Sequence, residues 1–177
     1  MIWHFFSLYG MWGRQGTDLA LRTFTQRVAI ELAPIRIHNS PYDDQQAFPL
    51  AEAIDKIPLS EGVLLAGTSL GANNLAVICA NVRRLVDGVF GFQASSYGAR
   101  GYPLNANVLF AHIISSWNPI PLPFLGTYRW PLGTMNAASY KREWHNIAHP
   151  GDYNIQDQDK FIREMKTIKA NTKERAK

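Results

Sequence analysis

The chain has a single cysteine, Cys79, so no internal disulfide can form. That fits a reducing compartment better than a secreted disulfide scaffold. No apolar run approaches the ~20 residues a membrane-spanning helix needs. The opening Met1-Ile-Trp-His-Phe-Phe6 lacks the basic region and cleavage site of a signal peptide. The expected location is therefore cytoplasmic. No period of roughly 20–50 residues repeats, which argues against a solenoid or propeller. Neither G-x-x-x-x-G-K-[ST] nor a G-x-G-x-x-G opening a helix is present, so the phosphate-cradling loops of nucleotide-binding proteins are missing. Charged residues are only 18% against 46% hydrophobic ones. That is an ordinary globular balance, and it excludes a wholly disordered or collagen-like chain.

The 177 residues suit one domain. Such a domain buries about 70% of its unfolded surface and needs no disulfide staples. The formal charge is +4, which on its face points to nucleic acid or another anionic partner. It is unevenly placed. Residues 160–177 hold seven basic and two acidic side chains, and the rest of the chain is close to neutral at −1. The expected organisation is a single domain over 1–170 with a basic tail at 171–177. Those lysines and arginines follow a helical face and then a polar end, which more often means a solvated surface than a nucleic-acid site.

Apolar runs alternate with helical patterns. Trp3 to Tyr9 reads as a buried strand, followed by the Gly-rich segment Gly10 to Gly16. Thr17 or Asp18 could cap a helix with Leu21, Phe24, Val28 and Leu32 inward, stopped by Pro34. Ile35 to His38 alternates like a short strand, and Phe48, Ala51 and Ile54 mark a short helix. Val63 to Ala66 is a strand, Gly67 to Gly71 a turn and Ala72 to Val82 a helix. Strands follow at Val86 to Phe92, Val108 to Ile114 and Tyr140 to Ile147. Asp157 or Asp159 then caps a last helix with Phe161, Ile162, Met165 and Ile168 inward. The expected fold is α/β: a three-layer, doubly wound, mostly parallel sheet of about six strands. Residues 98–107 and 117–136 are irregular. The second segment is rich in proline and aromatics, including Trp117, Phe124 and Trp130. Either a binding loop or plain packing accounts for it.

Gly67-Thr-Ser-Leu-Gly71 matches G-x-S-x-G, in which a serine sits on a sharp strand-to-helix turn. Small residues two positions either side let neighbouring backbone come close. The helix beneath adds partial positive charge where an oxyanion would develop. Ser69 is thus a candidate nucleophile. A serine needs a base, and His112, His145 and His149 follow it. His112 lies inside an apolar strand and reads as a core histidine. His145 and His149 also form H-x-x-x-H, but Pro150 and Gly151 disfavour the helix that a zinc site would require, so no metal is expected.

The run Gly62 to Ala72 resembles the nucleophile elbow of the α/β-hydrolase-fold serine hydrolases, especially small lipase- and esterase-like members. Leu8-Tyr9-Gly10 followed by Met-Trp-Gly resembles that superfamily's oxyanion segment, with Tyr9-Gly10 where His-Gly is usual. The resemblance spans about residues 3–170, and only the elbow is specific. It implies Ser69 as nucleophile and the N–H groups of Leu70 and Met11 as oxyanion donors. It implies a base in the loop after the last strand, His149 with His145 as the alternative. It also implies an acid at the end of a late strand, and here the sequence departs from the pattern. Those positions hold Gln93 and Asn118, both amides, while Asp152 lies close to His149. An amide oxygen can orient an imidazole but brings no full charge to the imidazolium.

The implied function is hydrolysis of a carboxylic ester without a cofactor. The substrate would be a small molecule lined by Trp12, Trp117, Phe124 and Trp130. The alternative is a non-catalytic binding or structural protein that keeps the fold, and acyl transfer would use the same machinery.

Overall fold

The computed structural model describes residues 1–9, 19–40, 47–68, 70–94, 107–116, 137–145 and 155–175. Among these residues six strands and four helices run in the order β1 (Trp3–Leu8), α1 (Leu19–Glu31), β2 (Arg36–Ser40), α2 (Ala47–Asp55), β3 (Gly62–Thr68), α3 (Leu70–Asn81), β4 (Gly88–Ala94), β5 (Val108–Ser116), β6 (Ala137–His145) and α4 (Ile155–Arg175). The strands form one sheet in the order β2-β1-β3-β4-β5-β6. Every pairing is parallel. The doubly wound sheet expected from the sequence is therefore present.

Parallel sheets are covered on both faces, and this one follows that rule. Along β1, Trp3, Phe5 and Tyr9 point to one face, where they meet Leu21, Phe24 and Val28 of α1 and Phe161, Ile162 and Met165 of α4. Phe6 and Leu8 point to the other, where they meet Ala51 and Ile54 of α2 and Leu75 and Ile78 of α3. From β1 the chain moves outward to β2 and then returns past β1 to β3. With right-handed crossovers that reversal sends α1 and α2 to opposite faces.

Phe161 is the hub of the α1/α4 face. Its ring lies 4.5 Å from that of Phe92, 5.0 Å from Phe90 and 6.3 Å from Phe24, centroid to centroid. At the amino-terminal end of the sheet, Arg84 is buried and its guanidinium donates to the carbonyls of Ile57, Pro58, Glu61 and Leu85. Nearby, His4 lies between Glu61 and His38, with Nε2 2.6 Å from the carboxylate and Nδ1 3.0 Å from the second ring.

Several boundaries differ from the sequence reading: β4 runs from Gly88 to Ala94 and α3 from Leu70 to Asn81, so Gly67 lies inside β3 and Gly71 inside α3. The last strand is Ala137–His145, three residues earlier at its start than expected. The final helix begins at Ile155, so Asp157 and Asp159 both sit inside it and neither is its cap. That helix continues to Arg175, and Thr172 is buried with its hydroxyl donating to the Ile168 carbonyl. Residues 171–175, set apart above as a basic tail, are thus helical. Among the described residues no helix is long and apolar enough to cross a membrane.

Truncating Phe161 to alanine removes the ring shared by α4, α1 and β4. We expect Phe161→Ala to cost about 3–5 kcal/mol of stability, measured as a shift in the urea midpoint at unchanged slope.

Candidate active site

In an open parallel sheet, ligands gather beyond the carboxyl ends of the strands, where the strand order reverses direction. Here that point lies between β1 and β3. One residue, Ser69, links the end of β3 at Thr68 to the start of α3 at Leu70. The strand–turn–helix setting that G-x-S-x-G requires is therefore met.

The two glycines explain how the turn fits. A Cβ on Gly71 would lie 2.6 Å from the Tyr9 carbonyl oxygen and closer still to that of Leu8. A Cβ on Gly67 would lie 2.7 Å from the carbonyl carbon and oxygen of Gly71. The ends of β1 and β3 and the first turn of α3 thus meet backbone to backbone, with no room for a side chain. Leu70 is the first residue of α3, and its N–H is among the first-turn amides without an intrahelical acceptor. The aligned peptide dipoles make this end of the helix partially positive.

Strand register sets where the other candidates attach. Leu8 pairs with Gly67, Thr68 with Phe92, Phe92 with Ile114 and Ser116 with His145. The carboxyl ends of β1, β3, β4, β5 and β6 therefore form one edge. Gln93 is the penultimate residue of β4 and His145 the last of β6. Because His145 ends a strand, the helical H-x-x-x-H geometry is absent at its first member. Asn118 follows the end of β5 by two residues, and His149 follows the end of β6 by four. Met11 and Trp12 belong to the connection from β1 to α1, and Asp152 to that from β6 to α4. Ser69, Met11, Trp12, Trp117, Asn118, Phe124, Trp130, His149 and Asp152 lie outside the described residues, as do the side chains of Leu70, Gln93 and His145.

His112 is not part of this edge. It is buried in mid-strand, with Nδ1 2.7 Å from Glu164 and Nε2 3.0 Å from Glu143. The sequence showed only a histidine in an apolar strand. Its carboxylate partners come from β6 and α4, and no local pattern announces them. Cys79 is buried in α3, and burial pushes its thiol up to about 12. A thiolate is the reactive form, so this cysteine is no nucleophile. Among the described residues no group of three or more His, Cys, Asp or Glu side chains could hold a metal ion.

No family model and no curated protein matches the sequence. A solved structure does match in shape: a protein of Xanthomonas campestris pv. campestris, provisionally classed as a hydrolase of the α/β superfamily. The two superpose with a TM-score of 0.55 over 93% of this chain and 98% of that one, at 17% identity. The chain shares that protein's α/β fold. At that identity the likeness is one of architecture.

Two outcomes check this geometry. Gly71→Ala should lose about 1–3 kcal/mol, because the added methyl drives the β1 end away from α3; denaturant unfolding measures it. Cys79 should stay unmodified by Ellman's reagent at pH 8 in the folded protein and react only on unfolding, because folding holds its thiol protonated.

Proposed function

We propose that this chain is a serine hydrolase that cleaves a carboxylic ester in a small molecule. The observation behind this reading is Ser69, the single residue joining β3 to α3 at the switch point of the sheet, beside glycines that leave no room for a Cβ.

In this reading Ser69 Oγ attacks the ester carbon while His149 takes its proton, with His145 as the alternative base. The Leu70 and Met11 N–H groups hold the oxyanion. The histidine passes the proton to the leaving alkoxide, which departs as the alcohol. Water then loses a proton to the same histidine and attacks the acyl carbon, and the histidine returns that proton to Ser69 Oγ as the acyl–oxygen bond breaks and the acid leaves. Asn118 orients the ring, with Gln93 or Asp152 as alternatives. Trp12, Trp117, Phe124 and Trp130 would line the acyl group. The chemistry needs no cofactor.

The amides at the orienting positions favour a second reading, in which the fold binds a ligand without turning it over. One experiment separates the two. A fluorophosphonate should label the folded protein on Ser69, and Ser69→Ala should lose both the label and p-nitrophenyl ester turnover, by about a thousandfold or more. Folded protein that takes up no label and hydrolyses none of a panel of such esters would support the binding reading.

A further inference from the structure

The buried network around His112 ties together the two elements that bracket His149. Glu143 belongs to β6, two residues before its end, and Glu164 belongs to α4. Each carboxylate uses both oxygens. Glu143 sets Oε1 3.0 Å from His112 Nε2, and its Oε2 accepts from Lys160 of α4 at 2.7 Å. Glu164 sets Oε2 2.7 Å from His112 Nδ1, and its Oε1 accepts from Lys141 of β6 at 3.2 Å. The links between β6 and α4 thus cross twice, with the His112 ring of β5 between them. That ring is 1% exposed and packs edge-on against Phe161, at 5.0 Å between centroids.

Among the described residues β6 is the last strand of the sheet and pairs only with β5. Strand pairing fixes it against β5 but not against α4. The His112 network supplies that second attachment. Nine residues, 146–154, join β6 to α4, and they include His149 and Asp152.

We propose that His112 is a positioning residue: by holding Glu143 and Glu164 together it fixes β6 against α4, and so fixes both anchors of the connection that carries the base. The proposal rests on the serine-hydrolase reading for the role of that base, but the clamp stands on contacts described independently of it. A base displaced by even about 1 Å loses much of its effect on rate, so a rigid anchor has a direct chemical consequence.

The test is the rate of Ser69 labelling by a fluorophosphonate, per folded molecule, below the melting temperature of every variant. His112→Phe keeps the ring against Phe161 and removes both polar contacts. Glu143→Ala removes only the β6 arm at a partly exposed site, should His112→Phe fold poorly. Both should label roughly tenfold or more slowly. Glu143→Gln retains an acceptor oxygen for the ring and should recover most of the rate. His4→Phe disrupts the buried histidine at the opposite end of the sheet and should label within about twofold of wild type; this control separates positioning from general loss of stability. Wild-type labelling rates in both His112→Phe and Glu143→Ala, or equal slowing in His4→Phe, would overturn the proposal. Should wild type itself take no label, the hydrolase reading fails and hydrogen exchange decides on the clamp. Faster exchange in His112→Phe at amides 142–145 and 155–160, with 62–68 unchanged, sustains the clamp, and unchanged exchange at all of them overturns it.

Discussion

Three pieces of backbone meet at Gly67 and Gly71 with no space for a Cβ between them, and the candidate site depends on that contact. It seats α3 directly on the ends of β1 and β3. Its first-turn amides therefore lie at the switch point of the sheet. A side chain at either glycine would push α3 off the ends of β1 and β3. A site that stabilises developing charge with fixed backbone dipoles tolerates little movement, because its benefit comes from donors already in place. The aromatic layer behind supplies the stiffness: Phe24, Phe90, Phe92 and Phe161 pack α1 and α4 onto the same strands whose other face carries α3.

The basic excess near the C-terminus takes a different meaning once its partners are visible. Lys160 pairs with Glu143, and Lys166 with Glu31 of α1. Lys169 donates to the carbonyls of Leu32 and Pro34, and its ammonium lies 5.8 Å from the centre of the Trp3 ring. These cations join α4 to α1, to β6 and to the turn before β2. Exposed ion pairs are each worth little, about 0–1 kcal/mol. Their placement nevertheless shows a helix surface turned toward its own fold, which weakens the inference from net charge to an anionic partner.

Legibility from sequence followed the range of the interaction. β1 and β3 are buried on both faces, so they appear as continuous apolar runs and were found. Among the described residues β6 is an edge strand with Ala138, Ser139 and Lys141 exposed, and its start of small residues, Ala137 to Ser139, carries no strand pattern. Val86 makes only an isolated bridge to Val108, which is why the apolar run at 86 begins before β4 does. The elbow was legible because its requirement is local, two glycines around one serine. The His112 network was not, since its members lie 31 and 52 residues away along the chain. The choice between His149 and His145, and among Asn118, Gln93 and Asp152, likewise turns on distances between segments, which no local pattern encodes.

The shortage of acids near the strand ends can now be traced to where the acids are used. After β4 the chain has six: Glu143, Asp152, Asp157, Asp159, Glu164 and Glu174. Glu143 and Glu164 hold His112, Asp159 pairs with Arg27 of α1, and Asp157 is buried in the first turn of α4. Glu174 stands near the end of α4, about 20 residues from the connection that carries His149 and so about 30 Å along the helix axis. Of the six, only Asp152 belongs to a connection at the carboxyl edge of the sheet. That acid shares its short connection with His149, and the other acids in connections at this edge are Asp18 after β1 and Asp43 and Asp44 after β2. An amide at an orienting position would set the tautomer of an imidazole without supporting the imidazolium by a full charge. Glu143 and Glu164 are instead held by His112, Lys160 and Lys141 in the network that joins β5, β6 and α4.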